Sequence, residues 1–186
     1  MVRTFLVALA LCMSATLLHA GSLLELGVRA GANLTFAQNL PEGFEATTVV
    51  GWNAGLIGHV GLGDLLAVGA DLYYENRRLT LERVLEGEVT KTDVFAGSLN
   101  LPVYAKIGLP LKFMFEAGVM YSYFINESEG IIPSGQGFAL LGLQWRPLPK
   151  WRFGARFLPS FTSISAGTYD DLGANVTQLY IGYVLL

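Results

Sequence analysis

The segment Leu24–Phe36, LELGVRAGANLTF, decides the fold, because apolar and polar residues alternate along its whole length. Successive side chains of a β-strand point to opposite faces, so one face of this segment carries leucine, valine, alanine and phenylalanine. The other face carries Glu25, Arg29 and Asn33 among glycine and threonine. This pattern predicts a transmembrane strand with its apolar face toward lipid and its polar face toward the lumen of a barrel.

Seven further segments show the same alternation. They cover residues 52–62, 66–75, 98–107, 113–124, 139–146, 151–157 and 177–186. Ile57 is an apolar residue on a predicted inner face, and Pro102 removes one hydrogen-bond donor from its strand. We therefore predict an all-β fold, an eight-stranded antiparallel up-and-down transmembrane β-barrel.

The connections between these segments alternate between two kinds. Short links at residues 61–65, 108–111 and 147–150 alternate with longer polar ones at 37–50, 77–92, 126–134 and 162–175. Outer-membrane barrels have short periplasmic turns and long extracellular loops. The alternation therefore predicts that both ends of the barrel chain lie on the periplasmic side.

Composition argues against a helical membrane protein and against a nucleic-acid-binding protein. Hydrophobic residues make up 52% of the 186 residues and charged residues 15%, which is an apolar balance for a soluble domain. After the first twenty residues, however, no stretch approaches the roughly 20 consecutive apolar residues of a transmembrane helix. The net charge is -3 and no basic patch is present, which argues against nucleic acid as a partner.

The N-terminus has the features of an export signal. Arg3 supplies a positive charge, Phe5 to Leu11 an apolar core, and Leu18-His19-Ala20 a small-residue cleavage site. We predict a signal peptide at 1–20, a barrel domain at 21–186 and location in the bacterial outer membrane. A lipoprotein anchor at Cys12, the single cysteine, is the alternative, but the bulky Leu11 disfavours it.

Charged residues recur on the predicted inner faces, and we interpret them as a structural lumen network: Arg29, Asp71, Glu75, Lys106, Glu116, Arg146, Arg152 and Arg156. An eight-stranded barrel has room for little more than its own side chains, so opposite charges should pair there. A ligand or ion path is the alternative. His59 is the one histidine beyond the signal, and it could serve a barrel-embedded hydrolase as general base. We expect a structural role for it, and no catalytic, cofactor or metal site.

Aromatic residues near the strand ends predict an interfacial girdle, because amphipathic rings prefer the headgroup region of a bilayer. The predicted members are Trp52, Tyr74, Tyr121, Tyr123, Trp145, Trp151 and Tyr183.

Seven segments together resemble the PorT-like outer-membrane barrel family, which is similar in architecture to the small OmpA and OmpX barrels. They are GVRAGANLTF (27–36), GWNAGLIGHVGL (51–62), LLAVGADLYYENRR (65–78), SLNLPVYAKIGLPLKFMFEAGVMYSYFI (98–125), FALLGLQW (138–145), WRFGARF (151–157) and LYIGYVLL (179–186). The hairpin LNLPVYAKIGLPLKFMFEAG and the GAR of residues 154–156 are the most specific. Family members commonly end on an aromatic residue, whereas this chain ends on Leu185-Leu186. The resemblance implies an eight-stranded barrel, sometimes linked to secretion or surface assembly.

The sequence thus predicts a non-enzymatic outer-membrane barrel without a large open pore, serving a structural, surface-interaction or accessory secretion role. Its expected partners are outer-membrane lipids, the outer-membrane assembly machinery and a surface or secretion partner that binds its loops. Two other classes stay open. A barrel-embedded lipid-modifying enzyme would need catalytic groups near one rim, and a soluble lipocalin-like carrier would need the opposite polarity, with apolar residues inside.

Overall fold

The computed structural model describes residues 24–38, 44–63, 65–85, 88–127, 135–162, 164–166 and 169–186. The predicted signal peptide therefore lies outside the described residues. Within the described part of the chain, no helix has the length and apolarity needed to cross a membrane.

Nine strands and one short 3-10 turn make up the described structure. They are β1 (Leu24–Gln38), β2 (Phe44–Gly61), β3 (Leu66–Leu85), β4 (Glu88–Gly108), the 3-10 turn Pro110–Lys112, β5 (Phe113–Glu127), β6 (Gly135–Trp145), β7 (Trp151–Leu158), β8 (Ile164–Ala166) and β9 (Tyr169–Val184).

Eight of these strands close into a barrel. Neighbours in sequence pair antiparallel from β1 to β7, β7 pairs with β9, and β9 returns to pair with β1 over Gly27 to Gln38. The short β8 pairs with the beginning of β9 in a hairpin at the end of the barrel. The predicted eight-stranded antiparallel barrel is confirmed, and closure leaves the wall without an open edge.

All four predicted long loops are wrong in part, because strands extend into them. β5 ends at Glu127 inside the predicted 126–134 loop, and β8 and the beginning of β9 lie inside the predicted 162–175 loop. β2 begins at Phe44 inside the predicted 37–50 loop, and β3 and β4 continue pairing through the predicted 77–92 loop as far as Leu85 and Glu88. These extensions are rich in threonine, valine and leucine, which suit strands on either side of a membrane boundary. β2, β3 and β4 therefore extend past the predicted membrane-spanning segments at the end of the barrel opposite the chain ends.

The three short connections lie together at the other end of the barrel. Gly63 adopts φ +91 in the β2–β3 turn, a conformation that glycine accepts without strain. The β4–β5 turn is unusual because Leu111 and Lys112 adopt φ values of 59 and 63 without a glycine. Backbone hydrogen bonds close these turns, for example Leu62 N to Leu66 O at 2.7 Å and Leu109 N to Phe113 O at 2.8 Å.

The barrel has the inverse polarity of a soluble protein. Outward residues such as Leu56 and Leu179 are 57% and 61% exposed, whereas Glu116 and Arg156 inside are 0% and 1% exposed. The core of the molecule is therefore the lumen, and it is largely polar.

Candidate functional site

The centre of the lumen is built around Arg156 of β7, which binds two carboxylates at once. Its Nε lies 2.7 Å from Oε2 of Glu116 on β5, and its Nη1 lies 2.7 Å from Oδ2 of Asp71 on β3. All three side chains are fully enclosed. Bonds between a guanidinium and carboxylates are directional, so this contact fixes three strands relative to one another across the barrel.

Two further cations complete this central cluster. Lys106 Nζ lies 3.1 Å from Oε1 of Glu116, and Arg29 Nη1 lies 3.2 Å from Oδ2 of Asp71. The cluster thus holds three cations and two carboxylates. Neutral acceptors receive further donors of the cluster: Gln178 accepts from Arg29 at 3.1 Å, and Gln144 accepts from Lys106 at 2.9 Å.

Tyrosine rings form the walls of the central cluster. The Arg29 guanidinium lies between the rings of Tyr73 and Tyr180, at 4.3 and 4.1 Å from their centroids. Arg156 lies 4.5 Å from the ring of Tyr104 and 4.8 Å from that of Tyr180. Cation–π contacts of this kind stabilise charges that have lost their water.

A second cluster, nearer the end of the barrel opposite the chain ends, is centred on Glu75. Arg77 donates to Glu75 Oε2 from both Nε (3.1 Å) and Nη2 (3.0 Å), and Gln178 Nε2 donates to Glu75 Oε1 at 3.0 Å. Arg77 also donates to Ser122 at 3.0 Å, and the Ser122 hydroxyl donates to Asn100. Sequence reasoning missed Arg77 because it fell in a predicted loop. Its two-residue spacing from Glu75 was the signal that could have placed it inside.

A third cluster lies around Glu25, at the rim that carries the chain ends and the short connections. Arg152 Nη2 is 2.8 Å from Glu25, His59 Nδ1 is 3.7 Å away, and Arg146 Nη1 is 3.8 Å away. Arg146 contacts this cluster but is not enclosed as predicted, because its side chain is 38% exposed. Arg146 directly follows the last residue of β6, so the wall no longer covers it.

His59 is buried, and its contacts are those of a lumen residue. Its Nε2 lies 2.9 Å from the Tyr104 hydroxyl and 2.7 Å from Lys106 Nζ. No serine is among its partners in the described residues, so the geometry does not bring a serine, histidine and acid together there. The described residues also contain no group of three or more histidine, cysteine or acidic side chains that could hold a metal ion.

The predicted girdle residues lie on the outer surface in two groups. Trp145 and Trp151, 43% and 40% exposed, lie with Tyr183 at the end that carries the short connections, and Trp151 contacts Tyr183 edge to face at 5.1 Å between ring centroids. Trp52 and Tyr74 lie toward the opposite end, with their ring centroids 5.2 Å apart. Tyr121 and Tyr123 lie on the same side, at 55% and 51% exposed.

Solved structures similar to this chain are small outer-membrane barrels. Neisserial surface protein A matches with a TM-score of 0.59 at 12% identity, over 85% of this chain and 96% of that one. Ail of Yersinia pestis matches with a TM-score of 0.51 at 15% identity, over 87% and 98%. The outer membrane protein OprG from Pseudomonas aeruginosa matches with a TM-score of 0.51 at 15% identity, over 87% and 95%.

These similarities show the fold. No protein-family model matches the chain, and no curated protein matches it. The OmpA/OmpX-type barrel architecture is therefore supported by structure, whereas membership of the PorT-like family stays a prediction.

Proposed function

We propose that the chain is an integral outer-membrane β-barrel protein whose lumen is a closed structural core and whose projecting strands and loops contact other molecules at the cell surface. In this proposal residues 1–20 are a signal peptide that is removed after Ala20, and residues 21–186 form the barrel. The lumen charges serve the fold, and the aromatic residues of both rims lie at the membrane interfaces.

The observation that carries the proposal is the polarity of the wall. Large apolar side chains cover the outside at 37–61% exposure along strands such as β1, β3 and β9, while charged side chains are enclosed inside. Exposing so much apolar surface to water would cost about 25 cal/mol for each Å². A bilayer removes this cost, because lipid tails are as apolar as the wall.

The same polarity disfavours a lipocalin-like carrier, which would bind its ligand among apolar residues inside. Here ion pairs and tyrosines occupy the lumen. An apolar ligand would have to displace them and leave charged groups without partners. The contacts of His59 also disfavour a barrel-embedded enzyme, because its ring nitrogens already contact Tyr104, Lys106 and Glu25.

A surface role is favoured over transport by two features. The central cluster, which contains Glu116, and the second cluster, which is centred on Glu75, fill the lumen. This filling supports a barrel without a large open pore. The extensions of β2, β3 and β4 project ordered backbone beyond the barrel, and such a platform suits a partner at the surface or in secretion. The outer-membrane assembly machinery would be a transient partner during insertion.

Reconstitution tests this proposal. The refolded barrel should insert into phospholipid vesicles, migrate faster on an unheated denaturing gel than after boiling, and cause no large steady conductance in a planar bilayer. A protein that stays monomeric and soluble without detergent would contradict the proposal. A conductance on the scale of a general porin would contradict the closed lumen.

A further inference from the structure

We propose that the periplasmic half of the wall carries a binding site for one anionic phospholipid, with the lipid tail in an oblique groove and the phosphate beside Lys112. This proposal rests on the proposed membrane insertion and specifies one lipid contact of the barrel. It concerns the outer surface between β5 and β1, away from the lumen clusters.

The groove has a volume of about 490 Å³ and follows the lateral rows of the sheet. One row joins Phe113, Trp145, Phe153, Ile181 and Ala30 through successive strand pairs. Five strands at about 4.8 Å spacing give the row a length of roughly 19 Å, which suits an extended lipid tail.

Small residues make the groove concave. Ala155 pairs with Leu179, and Leu179 pairs with Ala32 in the row beside the first. Between these rows, Gly31 and Gly154 flank Tyr180, whose side chain points into the lumen. Five residues of the lining, Ala30, Gly31, Ala32, Gly154 and Ala155, therefore have a methyl side chain or none, while Leu179 and the other lining positions carry larger side chains.

One end of the groove opens at the periplasmic rim. Phe113 and Trp145 stack there at 6.1 Å with an angle of 22° between their planes, and Trp145 contacts Phe153 at 6.1 Å. The other end lies at Ala30 and Ala32, toward the middle of the wall. A tail that enters between the aromatic rings would therefore run from the headgroup region toward the bilayer centre.

The charge at the open end selects the headgroup. Lys112 directly precedes Phe113, is exposed, and donates to the Pro147 carbonyl at 3.2 Å, which holds its ammonium beside the turn that follows Trp145. The Lys150 ammonium lies instead beside β9, 5.9 Å from the Tyr183 ring. The Lys112 ammonium forms no ion pair with a carboxylate within the described residues. A lipid phosphate with net negative charge would complement it.

Tryptophan quenching tests the site, because Trp145 lines the groove and the chain has three tryptophans. In a Trp52→Phe, Trp151→Phe protein, Trp145 alone reports contact with dibrominated lipid. In vesicles that mix phosphatidylcholine and phosphatidylglycerol, with one or the other brominated, we expect phosphatidylglycerol to associate about fivefold more strongly near Trp145. That ratio corresponds to about 1 kcal/mol for one lysine at the surface.

Two variants and two controls separate the parts of the site. Lys112→Gln should bring the ratio near one, whereas Arg78→Gln at the opposite rim should leave it unchanged. Ala155→Leu fills the groove and should reduce the ratio at least twofold. Ala105→Leu makes the same change on the lipid face of β4, outside the groove, and should have no effect.

A ratio near one at Trp145, or a ratio that survives Lys112→Gln, would overturn the lipid site while leaving membrane insertion intact. A reporter protein that keeps Trp52 alone measures the other rim, and there we expect no headgroup preference. Absence of quenching at every tryptophan by either lipid would overturn membrane insertion and the site together.

Discussion

Replacing Glu116 by glutamine should be among the most destabilising conservative changes in the barrel. Glu116 is fully enclosed and pairs with Arg156 at 2.7 Å and with Lys106 at 3.1 Å. Glutamine keeps the size of the side chain but removes its charge, so the cluster changes from three cations and two carboxylates to three cations and one. Breaking a buried ion pair in this way costs about 3–5 kcal/mol.

Glu25→Gln is the matched control, because it makes the same chemical change at the rim. The Glu25 side chain is 32% exposed, and its closest partner, Arg152, also donates to the carbonyls of Pro149 at 2.8 Å and Trp151 at 3.1 Å, so this cation keeps acceptors when the carboxylate is lost. We expect a loss of about 1 kcal/mol or less there. Urea unfolding in detergent micelles, followed by tryptophan fluorescence, measures both variants, and the difference should move the midpoint by on the order of 1 M.

A double variant tests the cause of the loss. Removing Lys106 as well, in Glu116→Gln with Lys106→Met, deletes the cation that lost its counter-charge and leaves Arg156 paired with Asp71. The double variant should therefore be more stable than Glu116→Gln alone. Equal losses for Glu116→Gln and Glu25→Gln, or a double variant less stable than the single one, would refute the electrostatic account.

Three other results follow from the same structure. A cysteine at Thr47, on the projecting part of β2, should react with a membrane-impermeant thiol reagent on intact cells, whereas one at Lys150 should react only after the outer membrane is opened; equal labelling of both would break the topology. Gly154→Ala should destabilise the barrel by about 2 kcal/mol or more on urea unfolding, because its new Cβ would lie 2.2 Å from Cζ of Tyr180, whereas Gly108→Ala has 3.5 Å to its nearest atom and should be tolerated. Intact-mass analysis of the exported protein should find Gly21 as the first residue, and a lipidated Cys12 would contradict that cleavage site.

The facing of wall residues could be predicted because a strand repeats every two residues. Once Leu72 and Tyr74 are placed toward lipid, Asp71 and Glu75 must point inward, and no knowledge of distant strands is needed. The apolar Ile57 followed the same rule and is buried inside at 3% exposure. Periodicity therefore predicted the facing even of an apolar residue on the polar inner side of the wall.

The partners inside the lumen could not be predicted, because they depend on the stagger between strands that are not neighbours. Arg156 on β7 contacts Asp71 on β3, which is 85 residues away in sequence. The contact depends on strand tilt and barrel closure, which local patterns do not encode. Strand ends are a separate difficulty, because alternation does not show where a strand stops: β3 continues past Arg77, and β6 ends one residue before Arg146.

Complementary sizes on neighbouring strands explain why this lumen is filled. Two inward tyrosines lie between inward glycines: Tyr180 pairs with Gly31 and Gly154, and Tyr104 pairs with Gly69 and Gly118. The third, Tyr73, pairs with Gly55 on one side. A Cβ at Gly69 would lie 2.5 Å from Cε2 of Tyr104, so the ring occupies the space that a side chain there would need. Large and small residues thus alternate around the circumference, and the rings then cover the guanidinium groups. An eight-stranded wall packed in this way encloses charge among its own side chains, and we therefore propose that its surfaces make the contacts with other molecules.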